Sequence, residues 1–128
     1  MSNQVTITVD GGGGEAIEVD CYCSVHLQSN GIEKFFQFDL SEEARTSNEA
    51  EYLAVIKGLE EVQKEFPGAS VLVRSDSKLV VMQCRRKWKV KARNLLPLRN
   101  QILQMASAFE SVTFQWISRR ETEALLGH

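Results

Sequence analysis

The order of apolar patterns along this chain predicts a mixed α/β fold, a sheet of five strands flanked by helices. Three observations lead there. The first forty residues alternate apolar and polar side chains in three stretches broken by turn residues, a stripe at helical spacing follows, and two further short apolar runs are separated by helical segments.

Taken in order, Val-Thr-Ile-Thr-Val between Gln4 and Val9 has period two and stops at Asp10, ahead of Gly11 to Gly14. That pattern predicts a strand ending in a pliable turn. Alternating stretches at about Ala16 to Leu27 and Ile32 to Leu40 flank Gln28-Ser29-Asn30-Gly31, whose Asn-Gly step favours a tight hairpin turn. The three stretches therefore read as an antiparallel meander. Thr46 or Ser47 can cap a helix carrying Tyr52, Val55, Ile56, Leu59, Val62 and Phe66 on one stripe, closed by Pro67-Gly68. Gly58 inside that helix costs about 1 kcal/mol relative to alanine, so a close approach to the sheet is expected there.

Val71-Leu72-Val73 is an unalternated run, the pattern of a strand covered on both faces, and it ends at Ser75-Asp76-Ser77 before a short helix from about Lys78 to Cys84. A second long helix begins near Leu95, with Pro97 in its first turn and Leu95, Leu98, Ile102, Met105, Ala106 and Phe109 along one side. Val112 to Ile117 is the last predicted strand. Strand, helix, strand implies a parallel crossover, which makes the sheet mixed.

At 128 residues, with 43% hydrophobic and 25% charged side chains, the chain has the make-up of one domain over residues 1–128. No apolar run approaches the roughly 18 to 20 residues of a membrane span. The opening Met-Ser-Asn-Gln has no secretory-signal pattern, so no membrane partner and a cytoplasmic location are expected. Cys21, Cys23 and Cys84 cannot all pair within one chain and read as buried free thiols. A net charge of -2 means that any affinity for nucleic acid must come from a local concentration of cations. Such a concentration exists at Arg85, Arg86, Lys87, Lys89, Lys91 and Arg93, with Trp88 among them. Cations of this kind bind phosphates without regard to sequence.

Three acids fall where apolar elements open to solvent: Asp10 after the first strand, Glu51 early in the long helix, and Asp76 after the fourth strand. If the first and fourth strands are neighbours, both aspartates share one sheet edge and the helix brings in the glutamate. Gathered carboxylates repel unless cations sit among them, and oxygen-only ligands suit magnesium or manganese, ions that serve phosphoryl transfer. Periodicity does not choose between Glu49 and Glu51, each roughly 70 to 90° from the centre of the stripe at 100° per residue.

Thr-Val-Asp-Gly-Gly at 8–12, Thr-Ser-Asn-Glu-Ala-Glu-Tyr-Leu-Ala at 46–54 and Ser-Asp-Ser-Lys-Leu-Val-Val-Met-Gln at 75–83 resemble, in order, the motifs of the type 1 ribonuclease H family. Trp88 to Lys91, Asn94-Leu95, Pro97-Leu98 and the strand Val112 to Ile117 extend the likeness over most of the chain. The resemblance implies a ribonuclease H-like fold and the cutting of the RNA strand of an RNA/DNA hybrid to give 5′-phosphate and 3′-hydroxyl ends. It implies Glu51 rather than Glu49 as the metal-binding glutamate, with Glu49 facing solvent, and two magnesium or manganese ions held by Asp10, Glu51 and Asp76. Substrate contacts are implied at Gly11, Gly12, Ser47, Asn48, Ser77 and Gln83, and at the cationic stretch Arg85, Arg86, Lys87, Trp88, Lys89 and Lys91. Arg119 and Arg120 fall where relatives carry a histidine or arginine near the product. A glycine common before the tryptophan is replaced by Arg86.

The family's fourth acid, an aspartate in the final helix, has no counterpart. Its position falls on Leu125, Leu126 or Gly127, and the usual final helix has almost no residues left to form from. Three explanations follow: Glu121 or Glu123 substitutes, a partner supplies the ligand, or one metal is held weakly. A sheet face bare of its last helix would invite self-association, so both a monomer and a homodimer are in view. The leading reading is a metal-dependent endoribonuclease on RNA/DNA hybrids; the alternatives are a hybrid-binding module of weak or no turnover, and another nuclease of the same superfold.

Overall fold

The computed structural model describes residues 3–14 and 20–127. The elements are β1 (Gln4–Gly12), β2 (Tyr22–Ser29), β3 (Ile32–Asp39), α1 (Ser47–Glu65), β4 (Ser70–Ser75), α2 (Lys78–Cys84), α3 (Leu96–Ala106), β5 (Ser111–Trp116) and α4 (Arg119–Leu126). Strand order is β3-β2-β1-β4-β5. The meander pairs antiparallel, whereas β4 lies parallel to both β1 and β5. The predicted five-stranded mixed sheet is therefore present.

Local chemistry explains most boundaries. Asn30 and Gly31 take φ of 50° and 81°, the paired left-handed conformation of a type I′ turn. Thr46 caps α1: its hydroxyl accepts from the Glu49 N–H at 3.1 Å, and the Glu49 carboxylate accepts from the Thr46 N–H at 3.0 Å. Glu49 is consequently a half-buried capping residue, not the solvent-facing one expected. The core lies between α1 and one sheet face, where Ile7, Val9, Val25, Leu27, Val55, Leu59 and Val73 are wholly buried. Each such side chain contributes about 1.5–3 kcal/mol by leaving water. A Cβ on Gly58 would sit 2.8 Å from Ile7 Cδ1, which is the close helix-to-sheet approach expected from the sequence. Cys21, Cys23 and Cys84 are free and buried, and burial pushes the Cys23 and Cys84 thiols up to about 12.

Three expectations are corrected, and a fourth is tested only in part. β1 does not stop at Asp10 but pairs with β2 through Gly12, so Asp10 is a strand residue. The early part of the second predicted strand, Ala16 to Val19, lies outside the described residues, and β2 begins at Tyr22. β4 is not covered equally on both faces: Val71, Val73 and Ser75 are buried, while Leu72 and Arg74 are half-buried. Finally, the last helix does form. Ser118 caps α4, its hydroxyl accepting from the Glu121 N–H at 3.3 Å, and Gly127 closes it at φ 79°. Helix α4 packs on β1 and β2, and Leu126 lines a small cavity together with Ser24, Phe35, Phe36 and Gln37 of the sheet. The expected motive for a homodimer, a face without its last helix, is thereby removed. Among the described residues no helix is long and apolar enough to cross a membrane.

Candidate active site and metal centre

The parallel register of β1 and β4 sets Val9 beside Ser75, so the residues that follow, Asp10 and Asp76, emerge at one edge of the sheet. Over that edge passes the N-terminal part of α1. Gly11 lies so near it that a Cβ would stand 2.3 Å from the Ala50 carbonyl carbon, and the Gly11 N–H donates to Glu51 Oε1 at 2.5 Å. Glycine is thus required at 11 for the helix to deliver its glutamate. Carboxylate oxygens of Asp10, Glu51 and Asp76 lie within 4.8 Å of one another, which is the convergence expected of these three acids. Glu51 rather than Glu49 faces the cluster.

Burial raises the Glu51 carboxyl well above the ordinary glutamate range, the Asp10 and Asp76 charges add to the rise, and the Gly11 N–H opposes it. Repulsion of this kind is relieved when a divalent cation enters. Three half-buried carboxylates with no nitrogen or sulfur donor among them match a hard cation such as magnesium or manganese.

Around the acids is an open cavity of about 410 Å³. Of the predicted contact residues, Gly11, Gly12, Ser47, Asn48, Ser77 and Arg119 line it. The two candidate substitutes for the missing acid separate. Glu123 lines the cavity, whereas Glu121 is turned away into an ion pair with Arg74 at 2.7 Å. Arg120 is exposed and does not line it.

Sequence reasoning missed three contributors. Thr122, fully buried on α4, donates its hydroxyl to Asp76 Oδ2 at 2.6 Å. Trp116 Nε1 donates to the Asp76 carbonyl at 3.2 Å. Tyr22 lines the cavity beside Gly12, its hydroxyl pKa raised by burial first and then by Asp10 and Glu51, with Arg119 opposing. A Ser-x-x-Glu pattern at 118–121 could have signalled α4 and, through it, Thr122; nothing local marks Tyr22 or Trp116.

Gln83 is not at the cavity. It is buried, its Oε1 accepts from the Tyr52 hydroxyl, and its Nε2 donates to the Lys89 carbonyl at 3.2 Å. Both ends of its amide are engaged inside the protein, so Gln83 anchors the segment that follows it and does not line the cavity with the other expected contact residues. The segment it anchors, between α2 and α3, carries Arg85, Arg86, Lys87, Trp88, Lys89, Lys91 and Arg93, all exposed and none lining the cavity. Arg86 takes φ 61°, a left-handed conformation that glycine adopts without strain.

Comparison with known proteins fits this geometry. Residues 17–124 match the family model described as reverse transcriptase-like. The chain belongs to that family. Among solved structures, the N-terminal RNase H domain of Rv2228c from Mycobacterium tuberculosis superposes with a TM-score of 0.80 at 29% identity, covering 96% of this chain and 88% of that one. LC11-RNase H1, isolated from compost by a metagenomic approach, gives 0.78 at 26% identity over 95% and 89%. The same enzyme in complex with an RNA/DNA hybrid gives 0.72 at 26% identity over 91% and 87%. The type 1 ribonuclease H resemblance and fold thus hold for this family member. The Mycobacterium tuberculosis "Bifunctional protein Rv2228c" is 40% identical over 74 residues, 58% of this chain. The chain spans 20% of the length of that curated relative.

Proposed function

We propose that this chain is a ribonuclease H: a divalent-metal-dependent endonuclease that hydrolyses the RNA strand of RNA/DNA hybrids, leaving 5′-phosphate and 3′-hydroxyl ends. The observation that carries the reading is the convergence of Asp10, Glu51 and Asp76 to within 4.8 Å in an open cavity, on a fold shared with hybrid-bound LC11-RNase H1. Asp10, Glu51 and Asp76 would hold two magnesium or manganese ions, and Glu123, which lines the same cavity, would supply the fourth carboxylate in place of the absent aspartate. When bound, such ions supply an activated water and neutralise charge on the phosphate.

The protein's own groups do the positioning. The Gly11 N–H orients Glu51, and Thr122 orients Asp76. Main chain at Gly11 and Gly12, with Ser47, Asn48 and Ser77, faces the minor groove, where 2′-hydroxyls distinguish RNA from DNA. Arg119 offsets negative charge at the cavity wall. The cationic segment Arg85 to Arg93 holds the duplex backbone.

A second reading, a hybrid-binding module of little turnover, is favoured by one observation: Leu125, Leu126 and Gly127, at the fourth acid's place, offer no carboxylate. Incubation with labelled RNA/DNA, RNA/RNA and DNA/DNA duplexes in magnesium and in manganese, beside Asp10→Asn, separates the two. Cutting confined to the hybrid and lost on substitution supports the nuclease. Tight hybrid binding without cutting supports the module.

A further inference from the structure

Trp116 is 52% exposed at the end of β5, the outermost strand on that side of the sheet, although an indole ordinarily gains most by burial. It is nonetheless held in one orientation. Its Nε1 donates to the Asp76 carbonyl at 3.2 Å, and the Lys78 ammonium stands 5.8 Å from the ring centroid. An exposed, fixed aromatic surface and a cation thus stand beside a residue of the acid cluster, on the strand that closes that edge of the sheet. Carboxylates repel a phosphate backbone, so a strand lying across them gains from positive charge next to the acids. Lys78 provides such a charge, and the indole offers an apolar surface to a sugar ring.

We propose that Trp116 and Lys78 form a second nucleic-acid contact, gripping the hybrid's sugar–phosphate backbone immediately beside the cut. The proposal rests on the hybrid-cleaving reading and adds a contact that the cationic segment at 85–93 does not provide. Trp116 lies against the sugar face and Lys78 pairs with the adjoining phosphate; neither reads base sequence.

The chain has two tryptophans, so Trp88→Phe leaves Trp116 as the sole indole reporter. In that variant, with Asp10→Asn to prevent cutting, RNA/DNA hybrid is titrated in magnesium while indole emission and affinity are followed. Saturable change in Trp116 emission is expected. Trp116→Ala should weaken binding by about fivefold, the lower end for loss of an aromatic contact to nucleic acid. Lys78→Ala should lower the salt slope by about 1, as for one lost phosphate contact. Lys78→Ala alters a surface side chain and so tests the contact even if Trp116→Ala fails to fold. Saturation with unchanged emission, or Lys78→Ala binding with the parent's affinity and salt slope, overturns the proposal. Absence of any hybrid binding by Asp10→Asn with both tryptophans and Lys78 intact overturns the hybrid reading itself.

Discussion

Replacing Glu51 by glutamine should stabilise the metal-free protein while abolishing its hydrolysis of hybrid. Burial first, and then Asp10 and Asp76, raise the Glu51 carboxyl above its ordinary value of 4.5. Because the folded chain holds this proton more tightly than the unfolded chain, the associated stability is complete below pH 4.5 and drains away as pH climbs toward the raised folded value. A tenfold difference in proton affinity between the folded and unfolded chain corresponds to about 1.4 kcal/mol. Sharing of the proton with Asp10, together with solvent at the cavity mouth, reduces the total, so the penalty at pH 8 should be about 2 kcal/mol. Glutamine removes the charge and still accepts the Gly11 N–H. Thermal unfolding in EDTA should therefore show Glu51→Gln melting about 4–8 °C above the parent at pH 8, with the gap closing near pH 5. Magnesium should raise the parent's midpoint and leave the variant's nearly unchanged. A variant that melts below the parent at pH 8, or a gap that does not depend on pH, would refute the reasoning.

Three further outcomes are expected. Thr122→Val, close in volume but without the hydroxyl, should weaken magnesium binding measured by calorimetry about 10- to 100-fold through loss of the bond to Asp76, and Thr122→Ser should restore most of it. Gly11→Ala should cost about 2–3 kcal/mol in urea unfolding, since its Cβ would meet Ala50 main chain at 2.3 Å and neither backbone can yield cheaply. Arg86→Gly should unfold at higher urea than Arg86→Ala by about 1 kcal/mol, because both lose the same charge and only glycine relieves the φ of 61°.

What the sequence disclosed was whatever rests on neighbours in the chain. The Asn30-Gly31 turn, the Thr46 cap and the stripe from Tyr52 to Phe66 are local patterns, and each was readable. The acids were visible as element ends, but their meeting depends on the parallel pairing of β1 with β4, which no short window contains. Length alone argues against helix α4, yet a Ser118 cap, the Gly127 stop and packing on the sheet suffice for its eight residues. Glu121 and Glu123 were indistinguishable by sequence because the Arg74 that claims Glu121 lies 47 residues away. The burial of Gln83 is illegible for a related reason: its partners, Tyr52 and Lys89, sit on separate segments.

That Gln83 bridge has a mechanical consequence. The Tyr52 that grips it is the next residue after Glu51, so the carbonyl of Lys89 is tied through one buried amide to the helix that bears Glu51 of the acid cluster. On the proposed reading, the cationic segment and the acids are two grips on a duplex held at a constant separation, and the protein acts as a gauge. Scission should fall a constant number of base pairs from the place where the segment seats, whatever the length of the hybrid.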